Sequence, residues 1–258
     1  MQLDQRVALI TGAGSGIGKA TCLRFAREGA RIGALGHAPD EINQTADEIR
    51  HSGGHAIALI ADVSNAAQMH DAMEQLAQRW GRIDIVFANA GINGVWAPID
   101  QLEPDEWDKT LDTNLKGTFL TIKYAVPHLK KRGGSIIVTS SINGTRVFSN
   151  TGATAYSCSK AAQVAMTKML ALELAPFDIR VNVICPGSVE TSINRSTVLR
   201  DLDKVQIKVH IERRIPLTNK PATSDEIAET ALFLASDASK HITGTPIWID
   251  GAESLIQG

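Results

Sequence analysis

The sequence predicts an α/β protein in which a parallel β-sheet carries helices on both faces. Three observations predict it. Short β-rich apolar runs alternate with longer helical patterns along most of the chain, and a parallel connection between strands needs a crossover helix. The runs are almost continuously apolar, as strands buried on both faces are. The first run also leads through a glycine-rich turn straight into a helix.

The elements follow in order. Val7–Thr11 reads as the first strand, the turn as Thr11-Gly12-Ala13-Gly14-Ser15-Gly16-Ile17-Gly18, and the first helix lies near 17–28. Strands follow at Arg31–Leu35, Ala56–Ala61, Ile83–Ala88, Ser135–Ser140, Arg180–Ile184 and Ile247–Ile249, with helices near 40–51, 65–80, 104–131, 154–174 and 224–235. No Pro/Gly/Ser-rich linker, repeat or low-complexity tract divides the chain, so residues 1–258 read as a single domain. One stretch breaks the rhythm. Residues 188–222 are polar and carry the runs Arg200-Asp201-Leu202-Asp203-Lys204 and Glu212-Arg213-Arg214. We expect a lid there, over the carboxyl ends of the strands, where open α/β sheets bind ligands.

Composition excludes several functions. Apolar residues make up 43% and charged residues 21%, ordinary for a globular enzyme, and 258 residues suffice for one large core. The net charge of −2 points to neither a nucleic acid nor an anionic membrane as partner. The basic run Lys130-Lys131-Arg132 is short and reads as a solvated helix end. Cys22, Cys158 and Cys185 are odd in number and lack metal-ligand spacing, so no metal site is expected and the thiols read as reduced. With no apolar signal region before the first strand and no apolar run long enough to span a bilayer, a cytoplasmic location is expected.

The glycine turn suits a dinucleotide. Glycines permit a tight turn and let backbone N–H groups approach a pyrophosphate at the helix N-terminus. Asp62 ends the third strand where it can accept a hydrogen bond from an adenine amine, or cap the next helix in competition with Ser64 and Asn65. Asn89-Ala90-Gly91 ends the fourth strand in small residues that allow close approach, and Pro186-Gly187 breaks the sixth at the same edge. Tyr156 and Lys160 stand four residues apart, on one face if the segment is helical. A free phenol has a pKa of about 10, and lowering it by about three units takes roughly 4 kcal/mol of differential stabilisation. A lysine together with a second cation such as an oxidised nicotinamide can supply that.

Together these residues resemble the short-chain dehydrogenase/reductase family over essentially the whole chain. The resemblance rests on the turn Thr11–Gly18, Asn89-Ala-Gly91, Asn114 in Thr-Asn-Leu-Lys-Gly, Ser141 in Thr-Ser-Ser-Ile-Asn-Gly, Tyr156-x-x-x-Lys160, Pro186-Gly187 with Thr191, Thr243-Gly244 and Asp250-Gly251. It implies a Rossmann-like, doubly wound, seven-stranded parallel sheet and a catalytic tetrad of Asn114, Ser141, Tyr156 and Lys160. Tyr156 would exchange the proton with the substrate oxygen, Ser141 would hydrogen-bond that oxygen, Lys160 would lower the phenol pKa and bind the nicotinamide ribose, and Asn114 would hold a relay water. Cofactor contacts would come from Gly12, Ser15, Gly16, Ile17, Gly18, His37, Asp62, Val63, Asn89, Ala90, Gly91, Pro186, Gly187, Val189 and Thr191, besides Tyr156 and Lys160. Ser140 is an adjacent alternative to Ser141, and Asn114 can alternatively kink or cap a helix. The chain departs from the family in an interval from Ser141 to Tyr156 that is about two residues longer, and in Ala252, where a second glycine is common.

Cofactor choice between NADP and NAD falls on the end of the second strand. Gly36 replaces the acid of NAD-preferring relatives, and His37 stands where many NADP-preferring relatives carry arginine, which leans the chain toward NADP. The leading expectation is an NAD(P)-dependent oxidoreductase that interconverts a secondary alcohol and a ketone. The nearest alternative is a 3-oxoacyl-(carrier protein) reductase, with a docking patch drawn from Arg146, Arg195, Arg213 and Arg214. From another class comes a non-catalytic dinucleotide-binding sensor or scaffold. The resemblance also implies a homotetramer assembled through the helices near 104–131 and 154–174. The face of Ala161, Val164, Ala165, Lys168 and Leu172 fits that, although an ordinary core face would look the same.

Overall fold

Successive side chains of a strand point to opposite faces of its sheet. A strand apolar at every position therefore needs cover on both sides, and the structure supplies it. A computed structural model describes residues 1–193, 197–205 and 214–257. In chain order the strands are β1 (Val7–Thr11), β2 (Arg31–Gly36), β3 (His55–Ile60), β4 (Ile85–Ala88), β5 (Val95–Trp96), β6 (Gly134–Thr139), β7 (Ile179–Pro186), β8 (Val198–Leu199) and β9 (Pro246–Ile249). The helices are α1 (Gly16–Arg27), α2 (Pro39–His51), α3 (Ala66–Trp80), α4 (Pro104–Leu111), α5 (Gly117–Leu129), α6 (Thr154–Leu174), α7 (Ser224–Ala235) and the short α8 (Glu253–Gln257). Seven strands form a parallel sheet in the order β3-β2-β1-β4-β6-β7-β9, the expected Rossmann-like arrangement.

The sheet separates two cores. Val7, Leu9, Val86, Ile136, Val138 and Val181 face the side of α3, α5 and α6, where Met73, Leu76, Leu120 and Leu174 meet them. Their neighbours Ala8, Ile10, Phe87, Ile137 and Ile184 face α1, α2 and α7, with Phe25, Ile42, Ile227 and Leu234. Only the edge strands β3 and β9 are partly exposed along their length. Winding outward from β1 to β3 and then from β4 to β9 leaves a reversal between β1 and β4. The crevice at the carboxyl ends of those strands is where such sheets bind ligands.

Boundaries differ from the expected ones for identifiable reasons. β4 begins at Ile85 rather than Ile83 because the Asp84 carboxylate, held by Arg82, accepts the Val7 N–H at 2.8 Å in place of a ladder bond. The helical run expected over 104–131 is interrupted by a π-turn at Asp112–Lys116. The Asn65 side chain caps α3 by accepting the Gln68 N–H at 3.1 Å, so Asp62 is not the cap. Ala252 has φ +70°, the left-handed conformation that explains why a glycine is common there.

Residues 188–222 contain structure that the sequence left unassigned. β8 pairs in parallel with β5, joining Val95 to Val198 and Trp96 to Leu199. The Arg200 guanidinium grips the Glu106 carboxylate and donates to the Gln101 carbonyl at 2.8 Å. The expected lid also includes residues 194–196 and 206–213, which lie outside the described residues.

Candidate active site

The ends of β1, β4 and β6 are stitched together beneath the crevice. Thr11 Oγ1 accepts the N–H groups of Asn89 and Ala90, each at 3.0 Å, and the Asn89 side chain donates to the Thr11 carbonyl at 3.2 Å. Thr139 Oγ1 donates to Asn89 Oδ1 at 3.1 Å. Asn89 thus shapes the floor as much as it offers contacts to a ligand.

The glycine turn lies above this floor. Gly12 takes φ +67°, and a Cβ on Gly18 would stand 2.0 Å from the Gly12 carbonyl oxygen, so no larger residue fits at either position. Ser15 is the N-cap of α1 but makes no capping bond, and no acid occupies the first turn. The positive end of α1 is therefore available to an anion. A cleft of about 630 Å³ opens beside it, lined by Ser15, Gly16, Lys19, Thr191, Ser192 and Ser224. Gly16 and Thr191 nearly touch, for a Cβ on Gly16 would stand 3.2 Å from Thr191 Cγ2. Ile17 packs against the core beneath α1, and Val63 is buried at the end of β3.

The remaining cofactor candidates ring the same edge. Asp62 is exposed, and its Oδ1 accepts both the N–H and the hydroxyl of Ser64 at 2.9 and 2.8 Å. His37 is exposed at the end of β2. The Pro186 carbonyl accepts the Ile142 N–H at 2.9 Å, and the Gly187 N–H donates to Ile249. Val189 bridges to Ala222. The buried Glu253 carboxylate fixes this segment by accepting the Ser188 N–H and hydroxyl at 2.8 and 2.9 Å.

Asn114, Ser141, Tyr156 and Lys160 all converge at this edge and all are buried. The π-turn presents Asn114 to the chain after Gly91. Its Oδ1 accepts the Ile92 N–H at 2.8 Å, while Nδ2 donates to the Ile92 carbonyl at 2.9 Å and to Ser159 Oγ at 3.0 Å. Asn114 thus both occupies a helix irregularity and faces the site. Lys160 Nζ donates to the Thr139 carbonyl at 2.8 Å and lies 5.5 Å from the Tyr156 ring centroid. A Cβ on Gly91 would stand 3.1 Å from Asn114 Oδ1, a tight contact, and 3.5 Å from that ammonium. Ser140 donates to the Lys160 carbonyl at 2.7 Å and positions α6, so Ser141 is the serine that bonds Tyr156.

Electrostatics here run against one expectation. Burial raises the Tyr156 pKa above the ordinary phenol value, with Ser141 pulling it down more weakly. Burial also lowers Lys160 to about 8. The lysine alone does not acidify the phenol, because desolvation costs both charged forms and Nζ is directed at Thr139.

Several contributors carry no sequence signal of their own. Ser159 links Asn114 to the Tyr156 carbonyl, which accepts its hydroxyl at 2.7 Å. The Trp96 ring lies 6.5 Å from that of Tyr156, tilted by 40°. Arg146, expected to be free for docking, stacks 3.6 Å from the Trp248 ring centroid. Arg214 is exposed, and Arg195 and Arg213 lie outside the described residues.

A family model described as enoyl-(acyl carrier protein) reductase matches residues 12–252. The 3-oxoacyl-[acyl-carrier-protein] reductase of Thermotoga maritima is 37% identical over 252 residues, 97% of this chain and 98% of that protein. A 3-ketoacyl-ACP reductase from Sinorhizobium meliloti has a similar structure, with a TM-score of 0.91 at 51% identity over 96% of this chain and 99% of that one. The Brucella melitensis 3-ketoacyl-(acyl-carrier-protein) reductase, solved in complex with NADH, has a TM-score of 0.87 at 31% identity, covering 98% and 99%.

Proposed function

We propose, from the premise that this chain belongs to the short-chain dehydrogenase/reductase family, that it interconverts a secondary alcohol and a ketone, with Tyr156 as general acid and base. The observation that carries this reading is the burial of Asn114, Ser141, Tyr156 and Lys160 together at the carboxyl edge of the sheet. A non-catalytic scaffold has no need of all four.

The crevice fits a nicotinamide dinucleotide, NAD or NADP. The uncapped N-terminus of α1 and the Gly12–Gly18 turn would hold the pyrophosphate, Asp62 and Val63 the adenine, and Asn89–Gly91, Lys160 and Pro186–Thr191 the nicotinamide half. When bound, the cofactor supplies or accepts the hydride. The protein moves the proton. In reduction the Tyr156 hydroxyl gives its proton to the carbonyl oxygen while the Ser141 hydroxyl donates a hydrogen bond to the same oxygen. The raised phenol pKa keeps Tyr156 protonated for that role. Lys160, titrating near 8, is mostly cationic at neutral pH and stabilises the phenolate left behind. Asn114, locked to Ile92, would hold the water that returns a proton to this pair.

Trp96 and the described residues 197–205, which Arg200 ties to Glu106 and Gln101, would border the substrate in this reading as part of a lid. A 3-oxoacyl thioester is the second reading, favoured by the 3-oxoacyl and 3-ketoacyl reductases among its relatives. Of the expected face, Val164 packs against the core, while exposed Ala161, Ala165, Lys168 and Leu172, with Met169, support assembly into a homotetramer. The free thiols Cys22, Cys158 and Cys185 accord with the cytoplasm.

Tyr156→Phe tests the central claim. Turnover of ketone and acyl-thioester panels should fall by about 100- to 10,000-fold, the usual worth of a general acid. NADH and NADPH binding, followed by fluorescence, should persist. Unchanged turnover would remove the tyrosine from the reaction.

A further inference from the structure

Gly36 and His37 leave the end of β2 without a carboxylate, but the fold brings one in from the next helix. Glu41, in the first turn of α2, lies against the glycine turn. A Cβ on Gly14 would stand 2.6 Å from Glu41 Oε2 and 2.8 Å from Glu41 Cβ. This approach is fixed by the backbone. Thr45 Oγ1, one turn further along α2, donates to the Ala13 carbonyl at 3.0 Å, and the Ala13 N–H donates to Leu35 at 3.0 Å. Glu41 therefore borders the crevice between the glycine turn and the end of β2, where dinucleotide folds place the adenosine ribose.

The rest of that border does not favour a phosphate. Lys19, the nearest lysine on α1, is engaged by Glu48 at 2.7 Å. Asp40 and Glu41 both occupy the first turn of α2 and oppose its positive end. A side chain at position 36 would meet Ile42 Cδ1 at 2.7 Å, so the strand end cannot take an acid without displacing Ile42. The one basic group added by the strand end is the exposed His37.

We propose that Glu41 is the residue that discriminates between the cofactors. Its carboxylate accepts hydrogen bonds from the adenosine ribose hydroxyls and repels a 2′-phosphate, so the chain binds NAD(H) in preference to NADP(H), the reverse of the lean that Gly36 and His37 alone give. The proposal rests on dinucleotide binding as proposed above and goes beyond it in naming the selective group. Glu41 is exposed, so exchanging it leaves the core intact.

The test measures binding without turnover. Dissociation constants for NADH and NADPH are measured by fluorescence titration of wild type, Glu41→Gln, Glu41→Arg and Asp40→Asn, at low and moderate salt. We expect wild type to bind NADH at least about tenfold more tightly, the repulsion between a carboxylate and a phosphate in a screened site being of that order. Glu41→Gln should shrink the ratio mainly by tightening NADPH, Glu41→Arg should reverse it, and Asp40→Asn should leave it near the wild-type value. An equal or stronger wild-type affinity for NADPH would overturn the proposal. So would a ratio unmoved by Glu41→Gln, or moved as far by Asp40→Asn. If neither dinucleotide binds wild type, the dinucleotide reading itself fails.

Discussion

The two halves of the crevice are built differently. On the nicotinamide side Asn114, Ser141, Tyr156 and Lys160 are buried and tied by hydrogen bonds to Ile92, Ser159 and Thr139. On the adenosine side His37, Glu41 and Asp62 are exposed, and the bonds that Asp62 accepts are local. The buried half has few alternatives, because every polar atom taken from water must find a partner there. The exposed half can be altered without disturbing the core. In the proposed function, chemistry belongs to the first half and choice of cofactor to the second.

Changes in the buried half should therefore cost stability as well as activity. Asn114→Ala removes a fully buried amide and leaves the part-buried Ile92 N–H and carbonyl without it, with an expected loss of about 2 kcal/mol. Urea unfolding would show it, and a loss below about 1 kcal/mol would mean that water replaces the amide.

Lys160→Met sharpens the contrast through pH. The folded-state pKa is about 8 against an ordinary 10.5, so between those values the unfolded chain keeps a proton that the folded chain has released. The Lys160 contribution to stability should rise with pH across that window, because its unfolding takes up a proton there, whereas the raised pKa values of buried Cys22 and Cys185 act the other way. Below pH 8 both states are protonated and the burial penalty is constant, at most about 3 kcal/mol. The methionine variant lacks both penalty and rise. Unfolding curves of both proteins at pH 7 and 9.5 decide the matter, since the opposing thiols are common to both and a wild type that gains no stability relative to the variant over this interval would contradict a depressed lysine pKa.

Asp62→Ala belongs to the exposed half and should have the smallest effect. Losing one hydrogen bond to the cofactor is worth about 1 kcal/mol, a roughly fivefold weaker binding constant, with the unfolding midpoint nearly unchanged. A large fall in stability would show that Asp62 is structural and that the division into halves is drawn in the wrong place.

The same division explains what could be read in the sequence. The sheet was legible because its strands are apolar at successive positions, and the candidate tetrad because Asn114, Ser141 and the Tyr156–Lys160 pair stand in motifs that resemble those of the family. β5 and β8 were not, since a two-residue pairing such as Val95 with Val198 has no periodicity. Glu41 was hidden for another reason. Along α2 it is one more acid in an acidic first turn, and only the packing of α2 on Ala13 sets it beside Gly14. The effect of burial on Tyr156 could not be read, because charge proximity follows from spacing whereas desolvation depends on the finished fold.

The wide turn at Asp112–Lys116 has a consequence for how such a site can change over generations. A helix with one irregular turn carries its register like a reading frame, and exchanging residues does not shift it. Losing a single residue there would let α4 and α5 merge into one regular helix and carry Asn114 about 100° around the axis. The side chains of those helices can diversify freely on their exposed faces while Asn114 stays opposite Ile92. Only an insertion or deletion can end that arrangement, and it would do so in one step.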